Sequence, residues 1–451
     1  MKVLAVGSPF LDGTGGERRN FMTISRYKDF GVDTYLHFPY SKLVWAVVNK
    51  EKKPDILENL RKNLDLVEKN GVIIQSMLRN ILDSPSILLK DESVQKLAKK
   101  RHPYPHWYFQ TIVNDISRLH KEYIDTTKHE TKGFDLIYQL GEPPDFGYES
   151  RLLSRASGLP LVILIQEYPY KAKSLHYYLS TLFSKYSRVL TSYVTEATSL
   201  PFSYGFYHNI IKSKELKGIF VISEACFTDR SIQRNLQKVS KPYVHLNPEN
   251  AIESITHIKK MEKSDYAIYY ARMVPEKGIY ELPEISKKLG NKRKILVYGK
   301  FPNNSAEKHF KKAISNCKNV QYMGFAERDT LLEVIRKARV VIYPSHADAF
   351  SLVMLEALSL GTSIVAYRIP GLLIYENLPS VRLVKEFDYN SMAIETEKYL
   401  DMPLKEYMEN HERDEVKRFI EEHNSWKKVT QEEINQLMRF TAIKNLPNQS
   451  H

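Results

Sequence analysis

Short apolar runs rich in Val, Ile, Leu and Tyr recur along this chain and alternate with longer, more charged stretches. Residues 2–7, 32–38, 135–140, 161–166, 218–223 and 243–246 make one set of such runs, and residues 266–271, 294–298, 320–323, 340–343, 364–367 and 381–384 make a second. Runs of this length, apolar without alternation and separated by helix-like text, predict parallel strands buried between helices on both faces. Two sets predict an α/β protein with two doubly wound sheets, joined somewhere within 238–263. The residues beyond about 402 are strongly charged and helical in pattern, and read as closing helices.

The chain is organised around 339–367, RVVIYPSHADAFSLVMLEALSLGTSIVAY. Val340, Val341, Ile342 and Tyr343 read as a buried strand that Pro344, Ser345 and His346 interrupt. A helix follows with Ser351 as its N-cap and Gly361 as its stop, and 363–367 is the next strand. From 349 to 367 the single charged side chain is Glu356, set in a helix that is otherwise apolar nearly all round. Burying a carboxylate without a partner is strongly unfavourable, so something polar must meet it. It is either a structural carboxylate paired with an arginine or a backbone amide, or one that faces a ligand.

A second candidate follows the first strand, where Asp12, Gly13, Thr14, Gly15, Gly16, Glu17, Arg18 and Arg19 form a glycine-rich turn. Glycines there let backbone amides approach an anion at a helix start, although an ordinary flexible turn has the same text. Residues 40–132 are mostly charged and helical and read as an insertion, with an aromatic knot, PYPHW, at 103–107.

At 451 residues the chain exceeds one typical core, and an apolar content of 43% supports two. Two cysteines, Cys226 and Cys317, make neither a disulfide framework nor a zinc pattern, which fits a reducing compartment and no metal. The start, MKVLAVGSPF, is interrupted too soon for a signal peptide, and no apolar run reaches the length of a membrane span. A cytoplasmic protein, soluble or peripheral, is therefore expected. Lys and Arg number 66 against 53 acids, and 34 of the basic against 25 of the acidic side chains fall in the first 240 residues. A net +13 favours anionic partners such as nucleotides or phospholipid, while the absence of any RRM, OB or helix-turn-helix pattern argues against nucleic acid. Between 171 and 214 six basic residues and one acid, Glu196, interleave with Tyr and Leu. That segment is either a solvated helix face or a surface touching the inner membrane or a lipid substrate.

The text DAFSLVMLEALSLGTSIVA at 348–366 resembles a phrase of the nucleotide-sugar glycosyltransferases of family 4, in which two glutamates separated by seven residues precede G-x-P-V-V-A. Asp348 stands where the first Glu is expected, Ala349 and Ser351 replace glycines, and Thr362 and Ser363 replace a small residue and a proline. YARMVPEKG at 270–278 resembles the family's strand ending in Gly-Arg and its Pro-Glu-Lys-Gly. LVYGK at 296–300 resembles a strand ending in glycine, and VQYMGF at 320–325 the strand and glycine, Gly324, that border the nucleotide base. VISE at 221–224 is similar to the inter-domain strand, 424–429 to the closing helix, and Gly15 and Gly16 to the first-domain phosphate loop. Where many members carry a histidine after the fourth first-domain strand, this chain has Gln166 and Glu167.

The resemblance implies the GT-B architecture, two Rossmann-like domains facing across a cleft. The first would span 1–240, with the insertion about 40–132, and be closed by helices about 420–451. The second, donor-binding domain would span 241–419. It implies transfer of a hexosyl group, with retention, from a nucleoside diphosphate sugar to a hydroxyl of a glycan or lipid-linked acceptor, without cofactor or metal. Arg272 and Lys277 would hold the diphosphate, whose departure needs fixed positive charge. Asp348 would hold sugar hydroxyls, and Phe350, Ser351 and Leu352 would offer amides at a helix start. Glu356 would accept from the ribose, Gly324 would border the base, and Gly15 and Gly16 would lie at the phosphates. A nucleotide-sugar epimerase of the same fold fits the same text, as does a catalytically silent partner subunit, given the Glu to Asp and Gly to Ser departures.

Overall fold

A computed structural model describes residues 1–11, 13–50, 55–100, 117–166, 209–223, 225, 242–252, 262–290 and 293–442. β1 (Lys2–Val6), β2 (Asp33–His37), β3 (Ile73–Ile74), β4 (Leu136–Gln139), β5 (Leu161–Ile165), β6 (Leu216–Val221) and β7 (Tyr243–His245) form one parallel sheet, ordered β3-β2-β1-β4-β5-β6-β7. β8 (Tyr266–Tyr270), β9 (Lys294–Tyr298), β10 (Val320–Gly324), β11 (Val340–Tyr343), β12 (Ser363–Tyr367) and β13 (Val381–Val384) form the other, ordered β10-β9-β8-β11-β12-β13. The central strands β4, β5, β11 and β12 are buried at every residue, which is why their text is apolar without alternation. This is the predicted pair of Rossmann-like doubly wound sheets, the GT-B architecture.

Both sheets reverse their winding at one point, between β1 and β4 and between β8 and β11. In sheets wound this way a ligand lies beyond the carboxyl ends of the strands at that reversal. Four helices bear on the site: α1 (Gly15–Ile24) after β1, α2 (Arg328–Lys337) before β11, α3 (Leu352–Ser359) between β11 and β12, and α4 (Trp426–Ala442) near the end of the chain. α4 returns to the first domain, where Phe440 lies 5.8 Å from Phe220 of β6. Its Glu433 meets Arg19 and Tyr27 of that domain, each at 2.6 Å. The chain crosses between the sheets beside Glu249, whose carbonyl accepts from Arg19 Nε at 3.0 Å and whose carboxylate lies 2.9 Å from His423 Nε2. The ring of Phe350, in the loop before α3, is 5.3 Å from that of His423, so the crossing touches the donor loop.

One strand escapes the sequence reading. Ile73 and Ile74 pair with Tyr35 and Leu36 of β2, so the stretch 40–132 supplies a sheet edge as well as helices. Two residues carry no periodicity from which a strand can be read. The PYPHW knot, residues 171–208 of the basic segment with Glu167 before it, and Glu224 lie outside the described residues. Among the described residues no helix is long and apolar enough to cross a membrane, and no cluster of three or more His, Cys, Asp or Glu side chains could hold a metal ion.

Candidate active site

Two loops, after β8 and after β11, press together beside the reversal of the second sheet. The first carries Arg272 and a turn, Pro275–Lys277, that ends at Gly278 with φ 72°. A Cβ on Gly278 would lie 1.9 Å from the carbonyl oxygen of Pro344, so only glycine allows the turn to seat against the second loop. The His346 amide donates to the Glu276 carbonyl at 2.9 Å and joins the same two loops. Gly371 closes the arrangement from the far side, where an added Cβ would lie 1.8 Å from the Asp348 carbonyl oxygen.

Lys277 is held in this junction with 12% of its side chain exposed. Its Nζ donates to the Asp348 carboxylate and to the Ala347 carbonyl, both at 2.8 Å. The same Asp348 oxygen accepts from the Tyr343 hydroxyl at 2.7 Å and the Ser345 hydroxyl at 2.9 Å. The sequence reading assigns Asp348 to sugar hydroxyls. In the structure its Oδ2 is committed to Lys277, Tyr343 and Ser345 and braces the ammonium, while Oδ1 accepts no hydrogen bond from a described residue. Arg272 is exposed and makes no side-chain hydrogen bond or ion pair with a described residue.

α3 begins as its text predicts: the Ser351 hydroxyl accepts from the Met354 amide at 3.3 Å, and the Ser351 carbonyl accepts from the Tyr375 hydroxyl at 2.9 Å. Phe350 is buried against Tyr375, with ring centroids 5.8 Å apart. No acidic side chain stands in the first turn of α3, so the field of its free amides is uncompensated. α1 differs. Thr14 and Glu17 close a capping box, with the Thr14 amide donating to the Glu17 carboxylate at 3.0 Å. Burial would raise the Glu17 pKa, but the Lys42 charge and hydrogen bonds from Thr14 and Ser8 hold it below the ordinary carboxylate value. The start of α1 thus already meets a carboxylate of its own, although the box leaves out the amides of Gly15 and Gly16. A Cβ on Gly15 would lie 3.9 Å from Leu352 Cδ1, so the two helix starts face each other across the cleft.

Glu356 does have an arginine. Arg328, the first residue of α2, donates from NH1 to Glu356 Oε1 at 2.8 Å. Nothing in the residue pattern marks Arg328, because it belongs to an ordinary amphipathic surface helix. Gly324 ends β10 with φ 83° and has open space where a Cβ would be. The structure therefore sets Arg272, Lys277, Asp348, Phe350, Ser351, Leu352 and Glu356 on loops and a helix at the carboxyl ends of β8 and β11, the central strands of the second sheet. Gly324 sits two strands out, and Gly15 and Gly16 come from the other domain.

Behind Lys277 lies a buried cation that sequence reasoning missed. His346 stacks on Phe387 at 4.6 Å, with Nδ1 2.8 Å from Glu386 and Nε2 against the Glu281 carboxylate. Burial alone would push the imidazole pKa down, but Glu281 and Glu386 outweigh it and raise it to about 9 from 6.5. The folded ring therefore holds its proton more tightly than the unfolded one. Its stabilisation is complete below about pH 6.5 and is lost as pH rises through about 9. The wild-type unfolding midpoint should fall across that window, and His346→Gln should flatten the fall. Identical pH profiles for the two proteins would refute this.

Residues 251–429 match the family described as glycosyl transferases group 1. The two facing sheets have the GT-B architecture, and the match falls on the second of them and the helices that follow it. An uncharacterized glycosyltransferase of Methanocaldococcus jannaschii is 25% identical over 198 residues, 43% of this chain and 49% of that protein. The chain thus matches about half the length of this curated relative. Among solved structures, Anabaena HepE in complex with UDP has a TM-score of 0.63 at 13% identity, covering 97% of this chain and 100% of its own. Sucrose-phosphate synthase from Thermosynechococcus elongatus has a TM-score of 0.60 at 13% identity, covering 99% and 100%. At such identities these likenesses speak for the fold alone.

Proposed function

We propose that this chain transfers a hexosyl group, with retention at the anomeric carbon, from a nucleoside diphosphate sugar to a hydroxyl of a glycan or lipid-linked acceptor. The observation that carries the reading is the junction of Arg272, the braced Lys277 and the anion-seeking start of α3 at the reversal of the second sheet. Two cations and a helix N-terminus on one loop junction suit a diphosphate leaving group. In this reading the bond from the anomeric carbon to the diphosphate breaks as the acceptor oxygen bonds that carbon, and the acceptor proton passes to the departing phosphate. Arg272 and Lys277 stabilise the charge that develops on the diphosphate, without a metal. Glu356 accepts from the ribose, and Gly324 borders the base. HepE was solved with UDP, which makes uracil the first base to try. The basic segment 171–214 is assigned, on its sequence, to a lipid-linked acceptor at the inner membrane surface of the cytoplasm.

The test is a thermal-shift screen of UDP- and GDP-hexoses, followed by an assay for release of nucleoside diphosphate. Glu356→Gln should raise the donor KM at least about tenfold while leaving the unfolding midpoint near that of the wild type. A wild-type donor KM in that variant would remove the ribose contact, and the absence of any shift with nucleoside diphosphates would remove the whole reading. Incubating donor without acceptor separates transfer from epimerisation, which would leave an altered nucleotide sugar.

A further inference from the structure

Glu356 and Arg328 make an unequal pair. The carboxylate is 13% exposed on a helix whose other side chains are apolar or serine, while the guanidinium, 28 residues earlier, is 42% exposed. The Tyr270 hydroxyl does not meet the carboxylate and donates to the Val353 carbonyl at 2.6 Å. The contact is single-pronged, NH1 to Oε1, and Oε2 accepts no hydrogen bond from a described residue. An ion pair between two exposed side chains contributes little, but here one partner is desolvated and depends on the other.

We propose that Arg328 is a positioning residue: it pins Glu356 by one oxygen so that the other meets the donor ribose, which makes the site selective for ribonucleoside over 2′-deoxyribonucleoside diphosphates. The proposal rests on reading Glu356 as the ribose contact. A pinned carboxylate loses little rotamer freedom on binding, and its second oxygen is an ionised acceptor suited to a hydroxyl. A deoxyribose leaves that acceptor without its donor. Met323 and Phe325, 50% and 66% exposed at the end of β10 and just beyond it, add apolar surface on the connection leading to Arg328, where a base can pack.

Calorimetry of the full chain with UDP, GDP and their 2′-deoxy forms tests this on wild type, Arg328→Ala and Arg328→Lys. The wild type should bind the ribonucleotide about tenfold more tightly than its deoxy form, the loss of one charge-assisted hydrogen bond. Arg328→Ala should bring that ratio within about twofold, and Arg328→Lys should restore it, because a single-pronged contact does not need the guanidinium fork. In turnover, Arg328→Ala should raise the donor KM about tenfold with kcat within about twofold, since the ribose contact is the same in ground and transition states. A merely structural ion pair would shift the unfolding midpoint and leave the ratio unchanged. Wild-type ratio and KM in Arg328→Ala would overturn the inference and spare the ribose reading. A wild type that binds neither nucleotide, or shows no preference for the ribo form, would overturn both.

Discussion

Lys277→Ala should lower kcat by about 10²- to 10³-fold at saturating donor, a loss of roughly 3 to 4 kcal/mol in transition-state stabilisation. The size follows from where the ammonium sits. It is 12% exposed and held by the Asp348 carboxylate and the Ala347 carbonyl, each at 2.8 Å, so it enters the reaction already oriented and largely desolvated. A cation fixed in this way costs little reorganisation when negative charge builds on a leaving diphosphate. Asp348→Asn gives the complementary measurement. It keeps acceptors for Tyr343 and Ser345 but removes the charge that aims Lys277, so kcat should fall by a smaller factor, about tenfold. Initial rates under saturating donor check both, with circular dichroism to show that the fold is kept. Turnover of Lys277→Ala within threefold of wild type would sink the assignment.

The legible parts of this molecule are those written locally. β9, β11 and β13 fall on the residues that the apolar runs predict; β11, buried at every residue, has no polar position to blur its limits, and in β9 and β13 the exposed Lys294 and Arg382 do not break the run. Ser351 was readable as a cap because hydroxyl and helix start lie within three residues of each other. What was not legible depends on distance in sequence. The brace on Lys277 comes from Asp348, 71 residues away, and the pin on Glu356 from an arginine on a helix with no special text. Gly371 looks like a turn residue until the Asp348 carbonyl is seen where its Cβ would stand. Glu17 shows the opposite case: its carboxylate stands in plain view beside Gly15 and Gly16, yet the capping box it closes with Thr14 is seen only in the structure.

The second large effect concerns stability. Glu433→Leu should destabilise the protein by about 3 to 5 kcal/mol, because it leaves the Arg19 guanidinium charged and buried without its partner. Both side chains are fully buried, with NH1 2.6 Å from the carboxylate. Burial alone would lower the Arg19 pKa, and Glu433 more than offsets it. The other carboxylate oxygen accepts from Tyr27 at 2.6 Å, and Arg19 Nε donates to the Glu249 carbonyl at 3.0 Å. One ion pair thus joins α4, α1 and the crossing between the sheets. Urea unfolding followed by fluorescence measures the loss. Replacing both partners, with Arg19→Met added to Glu433→Leu, should recover most of it, since a buried pair exchanged for apolar side chains is close to neutral. A single variant that costs less than about 1 kcal/mol would show that water reaches the guanidinium and that the pair does not fasten α4. Because Arg19 lies on the same helix as Gly15, the start of which faces Leu352, the single variant should also raise donor KM, while the double variant returns it toward wild type. That joint recovery distinguishes a pair that holds the two helix starts in register from one that only adds stability.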